Sequence, residues 1–244
     1  MKRQGLGIRD WGRKAGNWGL GNWGVGAAML VTMLLATQTG FAGKSEGREG
    51  EENLRITVRV YDYAQAPREM LAMAQAEAAH ILANAGIETE WLECSIGQAD
   101  EQDRDACQRA FGPADLTMRI VPESMAARLP FRDITLGFAA LPEEGGRGFL
   151  GGVFYHKVER MAKETGTDRY HILAHAIAHE IGHLLLRTVK HGHSGLMRAN
   201  WGREELELAR RGLLPFTSEE AARLRAEVRA RASSQPVTVL AAAK

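Results

Sequence analysis

Residues 169–186 form an apolar run at helical spacing that carries histidines at 171, 175, 179 and 183 and a glutamate at 180. Its centre, His179-Glu180-Ile181-Gly182-His183, constrains the chain more than any other segment. Histidines four residues apart lie about 40° apart around a helix axis, so both rings reach one point. Rings so placed suit a metal ion. A glutamate directly after the first stands beside that metal, where it can take a proton from a metal-bound water. The segment is therefore expected to be a helix.

A catalytic zinc ion typically takes three protein ligands and leaves one position open. The helix supplies two, and one such ion is the expected cofactor. After Lys190 come His191-Gly192-His193-Ser194-Gly195-Leu196-Met197. A chain leaving the helix after Lys190 can fold back and bring His191 or His193 to the metal, with glycine and serine supplying the turns. Glu204 or Glu205 stands at the distance from which a following helix could offer a carboxylate instead. His175 reads as a buried histidine bonded to backbone or a neighbour, with orientation of a ligand as the sharper alternative. His171 reads as a plain surface or helix-start residue, and His80 and His156 carry no legible signal.

These residues resemble the metzincin family of zinc metallopeptidases, which shows H-E-x-x-H, a glycine turn, a third histidine and a methionine-containing turn beneath the metal. By that resemblance His179 and His183 are the first two ligands and Glu180 the general base. His191 is the third ligand, with His193 as its competitor, and Ser194-Gly195-Leu196-Met197 is the methionine turn, Met197 forming an apolar floor. The family places glycine three residues after the second histidine and the third histidine three later. Here Leu186 and Val189 stand at those positions, so the helix is expected to run longer and the third ligand to arrive two residues late. The resemblance implies a twisted mixed five-stranded α/β (α+β) sheet packed on two long helices, with a small C-terminal helical part. It also implies an antiparallel edge strand above the cleft, here Leu136-Gly137-Phe138-Ala139-Ala140-Leu141, to which an extended peptide would add.

The rest of the chain reads consistently with that frame. Alternation predicts a first strand over Leu54–Tyr63, with Ile56, Val58 and Val60 on one face and Arg55, Thr57 and Arg59 on the other. Pro67 opens a helix over Arg68–Ala85, closed by Gly86. Strands are predicted over Ile87–Leu92, Leu116–Val121, Leu136–Leu141 and Gly152–Val158. The last two are joined by a hairpin-like turn containing Pro142, Gly145, Gly146 and Gly148. The metal helix covers Arg169 to about Leu186, and a short helix over Arg203–Arg211 ends at Gly212. Thr217 with Glu220 forms a capping box for a helix reaching about Ala232. The segment 54–232 is thus the expected catalytic domain, 43–53 a charged linker and 233–244 a disordered tail.

Lys2, Arg3, Arg9, Arg13 and Lys14 precede an apolar core at Val25–Ala36, and small residues follow at Gly40 and Ala42. This predicts a secretory signal over 1–42 and export to the periplasm or the medium. The apolar core is short of the roughly 18 residues that span a bilayer, so an N-terminal anchor is the alternative and no stable membrane insertion is expected after cleavage. Beyond residue 42 there are 26 basic and 29 acidic side chains, a formal charge of −3. That argues against nucleic acid as a partner and leaves peptide or protein as the substrate. Cys94 and Cys107 are the only cysteines, and after export they are expected to form one disulfide across a polar loop. The leading reading is a secreted or periplasmic zinc-dependent endopeptidase. The alternative is a catalytically silent, zinc-stabilised binding domain, which would have no use for Glu180. A domain with no metal would need all these histidines to coincide by chance.

Overall fold

The computed structural model describes residues 53–94, 106–129, 135–143 and 146–234. The expected signal segment, the linker before Asn53, the loop between the cysteines before Ala106, Gly145, and the tail beyond Ser234 lie outside the described residues. Strands β1 (Arg55–Asp62), β2 (Glu88–Glu93), β3 (Asp115–Val121), β4 (Gly137–Ala140) and β5 (Leu150–Phe154) form one sheet in the order β2-β1-β3-β5-β4. β1 pairs in parallel with β2 and β3, and β3 with β5, while β4 runs antiparallel to β5 at the edge. The helices are α1 (Arg68–Asn84), α2 (Glu123–Ala126), α3 (Tyr155–Thr165), α4 (Arg169–Leu186), α5 (Arg203–Arg210) and α6 (Ser218–Ala232). This is the mixed five-stranded sheet expected, with β4 as its antiparallel edge. Among the described residues no helix is long and apolar enough to cross a membrane.

Register decides which side chains meet. Val58 is level with Leu116 and Val60 with Met118, so these residues, with Ile56 and Ile120, share one face of the sheet. All are buried, and Met118 reaches Gly151, which adjoins Glu180 of α4. That face is therefore the one the helices cover. Ile172, Ile177 and Ile181 of α4 and Ala74, Ala78 and Leu82 of α1 complete the same core. Burying each large aliphatic side chain here contributes about 1.5–3 kcal/mol.

Thr57 and Arg59, on the opposite face of β1, are also buried. Arg59 donates to Asp115 at 2.8 Å and to the carbonyls of Cys107, Arg109 and Ala110, and its guanidinium lies 5.1 Å from the Phe111 ring centre. The 107–111 segment thus covers this part of the sheet, and the Cys94–Cys107 disulfide joins it to the end of β2. Alternation correctly separated the two faces of β1 but could not reveal that both would be covered.

The strand expected over Gly152–Val158 ends at Phe154, and Tyr155 begins α3 directly. A short apolar run does not distinguish strand from helix. Here Tyr155 and Val158, three apart, are buried with partly buried Ala162 one turn further on, and Gly166 at φ 68° closes the helix. The expected helix over 203–211 and the Thr217–Glu220 capping box are both present. Ser233 and Ser234, assigned to a disordered tail, cap α6: their hydroxyls donate to the carbonyls of Arg229 and Ala230.

Candidate metal centre

α4 supplies three of the four residues that matter most here. His179, Glu180 and His183 are all buried although polar, and the two histidines gain partners that offset desolvation. His179 Nδ1 donates to the Leu196 carbonyl at 2.8 Å, and His183 Nδ1 donates to the Thr188 carbonyl at 2.7 Å. A carbonyl can only accept, so both Nδ1 atoms carry the proton and the neutral rings turn bare Nε2 lone pairs inward. Those Nε2 atoms are 3.0 Å apart, and His191 Nε2 lies 3.3 Å from that of His183. Two nitrogens bound at about 2.05 Å to one tetrahedral zinc ion lie about 3.3 Å apart. The converging lone pairs repel one another unless a cation lies among them, so the donor set fits zinc by number, atom type and spacing.

The loop after α4 brings His191 in. α4 ends at Leu186, and the reversal begins at Arg187 in the left-handed region (φ 54°) rather than after Lys190. The longer helix expected from the absent family glycine does not form, because arginine adopts the turn that glycine would ease. Gly192 N donates to the Met197 carbonyl at 2.8 Å, and Gly195 turns at φ 71°. Met197 is buried below α4: a Cβ on Gly182 would stand 2.5 Å from its Sδ. The same turn presents the Leu196 carbonyl that orients His179.

The other candidates fall elsewhere. Among the described residues the histidine cluster consists of His179, His183 and His191, and His193 is exposed outside it. Glu205 accepts from Gly202 N at 2.7 Å and pairs with Arg198, and Glu204 is exposed. His175 is fully buried with Nδ1 donating to the His171 carbonyl at 2.8 Å. His171 is not a plain surface residue: its Nδ1 meets Glu77 at 2.8 Å, tying α4 to α1.

Burial shapes the electrostatics. Desolvation, reinforced by its histidine neighbours, lowers His179 from the usual 6.5 to about 3. Burial and His191 lower His183 to about 4, and burial lowers the more open His191 as well. All three are thus neutral and ready to ligate near pH 7. Burial alone raises Glu180 to about 8.

These residues open on a cleft of about 760 Å³. Its far wall is one face of α3, Lys157, Arg160, Met161 and Glu164, at helical spacing. That wall was missed in the sequence because the start of α3, as far as Val158, was read as strand and no element was assigned to 159–165. Trp201 closes another side and donates through Nε1 to Leu196 O at 3.3 Å. β4 forms the upper rim. Phe154 N donates to Leu136 O and Gly137 lies opposite Val153, so bonding pairs alternate from Leu136 onward. Gly137 and Ala139 therefore turn their N–H and C=O groups toward the open edge.

No family model matches the sequence, and no curated protein matches it. Among solved structures, the chain is similar to a zinc-dependent peptidase from Methanocorpusculum labreanum, with 13% identity, 68% of this chain and 99% of that chain covered, and a TM-score of 0.46. It is also similar to archaemetzincin from Methanopyrus kandleri, with 15% identity, 73% of this chain and 98% of that chain covered, and a TM-score of 0.41.

Proposed function

We propose that this protein is a zinc-dependent endopeptidase, exported to the periplasm or the medium, that hydrolyses peptide bonds in a chain laid along β4. One observation carries this reading: three histidine Nε2 atoms converge in the same cleft that holds the buried carboxyl of Glu180. His179, His183 and His191 would hold the metal. A zinc ion bound there supplies a Lewis acid that polarises a carbonyl and lowers the pKa of water. Glu180 accepts a proton from the attacking water and returns it to the leaving amine. Its ionised form, required for the first transfer, would be favoured by the positive charge of a metal ion held by the neutral histidines beside it. Gly137 and Ala139 offer main-chain hydrogen bonds to an extended peptide, a mode that gives affinity with limited sequence preference. Export is supported by the basic front and short apolar core of residues 1–42 and by the disulfide.

The test is the zinc content of the purified domain together with cleavage of a broad peptide library. Glu180→Ala should retain the metal and lose cleavage by at least about 10²–10⁴-fold, the value of general-base assistance. A fully loaded wild type that cleaves nothing would replace this reading with the silent binding domain. Cleavage persisting in Glu180→Ala would reject the assigned chemistry.

A further inference from the structure

Glu180 lies where it does because a side chain is missing at Gly137. A Cβ on Gly137 would stand 2.6 Å from Glu180 Oε1 and 2.8 Å from its Cγ, closer than carbon atoms approach. A Cβ on Gly151 would stand 3.5 Å from Glu180 Cβ, an ordinary contact. The side chain therefore lies along the β4–β5 pair, with its stem over Gly151 and its carboxyl over Gly137. Backbone conformation does not demand glycine at 137, which is absent from the positive-φ glycines (Gly86, Gly166, Gly195 and Gly212) among the described residues. What position 137 requires is space.

From this contact we infer that Gly137 is a positioning residue: the absence of its side chain sets where the Glu180 carboxyl stands in the cleft, independently of the metal ligands. This inference rests on the peptidase reading for its catalytic meaning. Gly137 also turns its N–H and C=O to the open edge, so a peptide paired with β4 and the base acting on it meet at one residue. Any side chain at 137 must displace the Glu180 carboxyl and also press on the Gly152 carbonyl, which would lie 2.7 Å from the new Cβ. The carboxyl is the free end of a flexible side chain, whereas the carbonyl belongs to a paired strand. The carboxyl moves first.

The experiment compares zinc-loaded wild type with Gly137→Ala by metal stoichiometry, steady-state kinetics and crystallography. Zinc content and KM should hold, while kcat falls by about 10²-fold, the cost of a 1 Å misplacement of a reacting group. The crystal structure should show Glu180 moved away from β4 and His179 and His183 in place. In a cycle with Glu180→Asp, whose shorter side chain vacates the space, the Gly137→Ala change should cost far less than in the wild type. Independent, multiplying effects, or an unmoved Glu180, would overturn the inference. Should Gly137→Ala fail to fold, the zinc-loaded wild type decides: a carboxyl still seated on Gly137 supports the assignment, and one turned away defeats it. A loaded wild type without peptidase activity refutes the peptidase reading alone, since the position of Glu180 in the Gly137→Ala crystal still judges the placement.

Discussion

Gly182 and Met197 are in contact across the base of the metal centre. A Cβ on Gly182 would meet Met197 Sδ at 2.5 Å and Phe216 at 2.8 Å. The second variable position of the His-Glu-Ile-Gly-His string is thus the place where the turn after the metal loop presses against α4. Leu196, next to Met197, gives His179 its carbonyl partner, so this packing and the aim of a proposed ligand are linked.

Gly182→Ala should therefore destabilise the fold by about 1–3 kcal/mol through overpacking. It should also weaken zinc binding, because Met197 cannot retreat without moving Leu196. Urea denaturation and a competitive zinc titration check both. Unchanged zinc affinity in a destabilised variant would separate the turn from the aim of His179.

His191→Ala should lose most bound zinc, while His193→Ala keeps it. Loss of partners that merely orient ligands already costs 10–100-fold in affinity, so loss of a ligand should exceed about 10²-fold. Metal analysis after gel filtration reads this directly. Zinc retained in both variants would redirect attention to Glu204 or Glu205.

The metal-free protein should be most stable near pH 6.5. Below that value the unfolded chain takes up protons at His179 and His183, while the folded chain, at about 3 and about 4, does not. Stability from these groups is lost as the pH falls toward 4. Glu180 acts in the opposite sense. Folded, it keeps its proton up to about 8, whereas the unfolded chain has released it above the usual 4.5, so its contribution is lost as the pH rises. Two histidines outweigh one glutamate below 6.5, and Glu180 alone governs the decline above it. Denaturation of chelator-treated protein across this range should show the maximum, and Glu180→Gln should flatten the alkaline side.

Ala139→Pro should weaken binding of an extended peptide inhibitor without removing zinc. The Ala139 N–H faces the open edge rather than β5, so proline deletes a donor that the sheet itself does not use. Calorimetry with the zinc-loaded variant tests this, and unchanged affinity would place the peptide elsewhere.

Local rules were enough for much of this molecule. The four-residue histidine spacing within an apolar run specified a helix with two rings on one face, and the Thr217–Glu220 box and Gly86 marked helix ends by short-range bonding and backbone freedom. Alternation in β1 separated its two faces. The run after Gly152 was misread because its apolar residues Val153, Phe154, Tyr155 and Val158 satisfy strand and helix templates alike until a core exists to choose between them. Which groups meet across gaps was settled only by tertiary packing. His191 rather than His193 comes within 3.3 Å of His183 because the chain reverses at Arg187. The carbonyls of Leu196 and Thr188, which aim the two helix histidines, have no side-chain identity that a sequence could display. The seat of Glu180 on Gly137 joins residues 43 positions apart, and it exists only because the edge strand is laid against α4. Short-range sterics and hydrogen bonding make the elements, but the contacts that give the site its geometry are made when sheet and helix close on a common core.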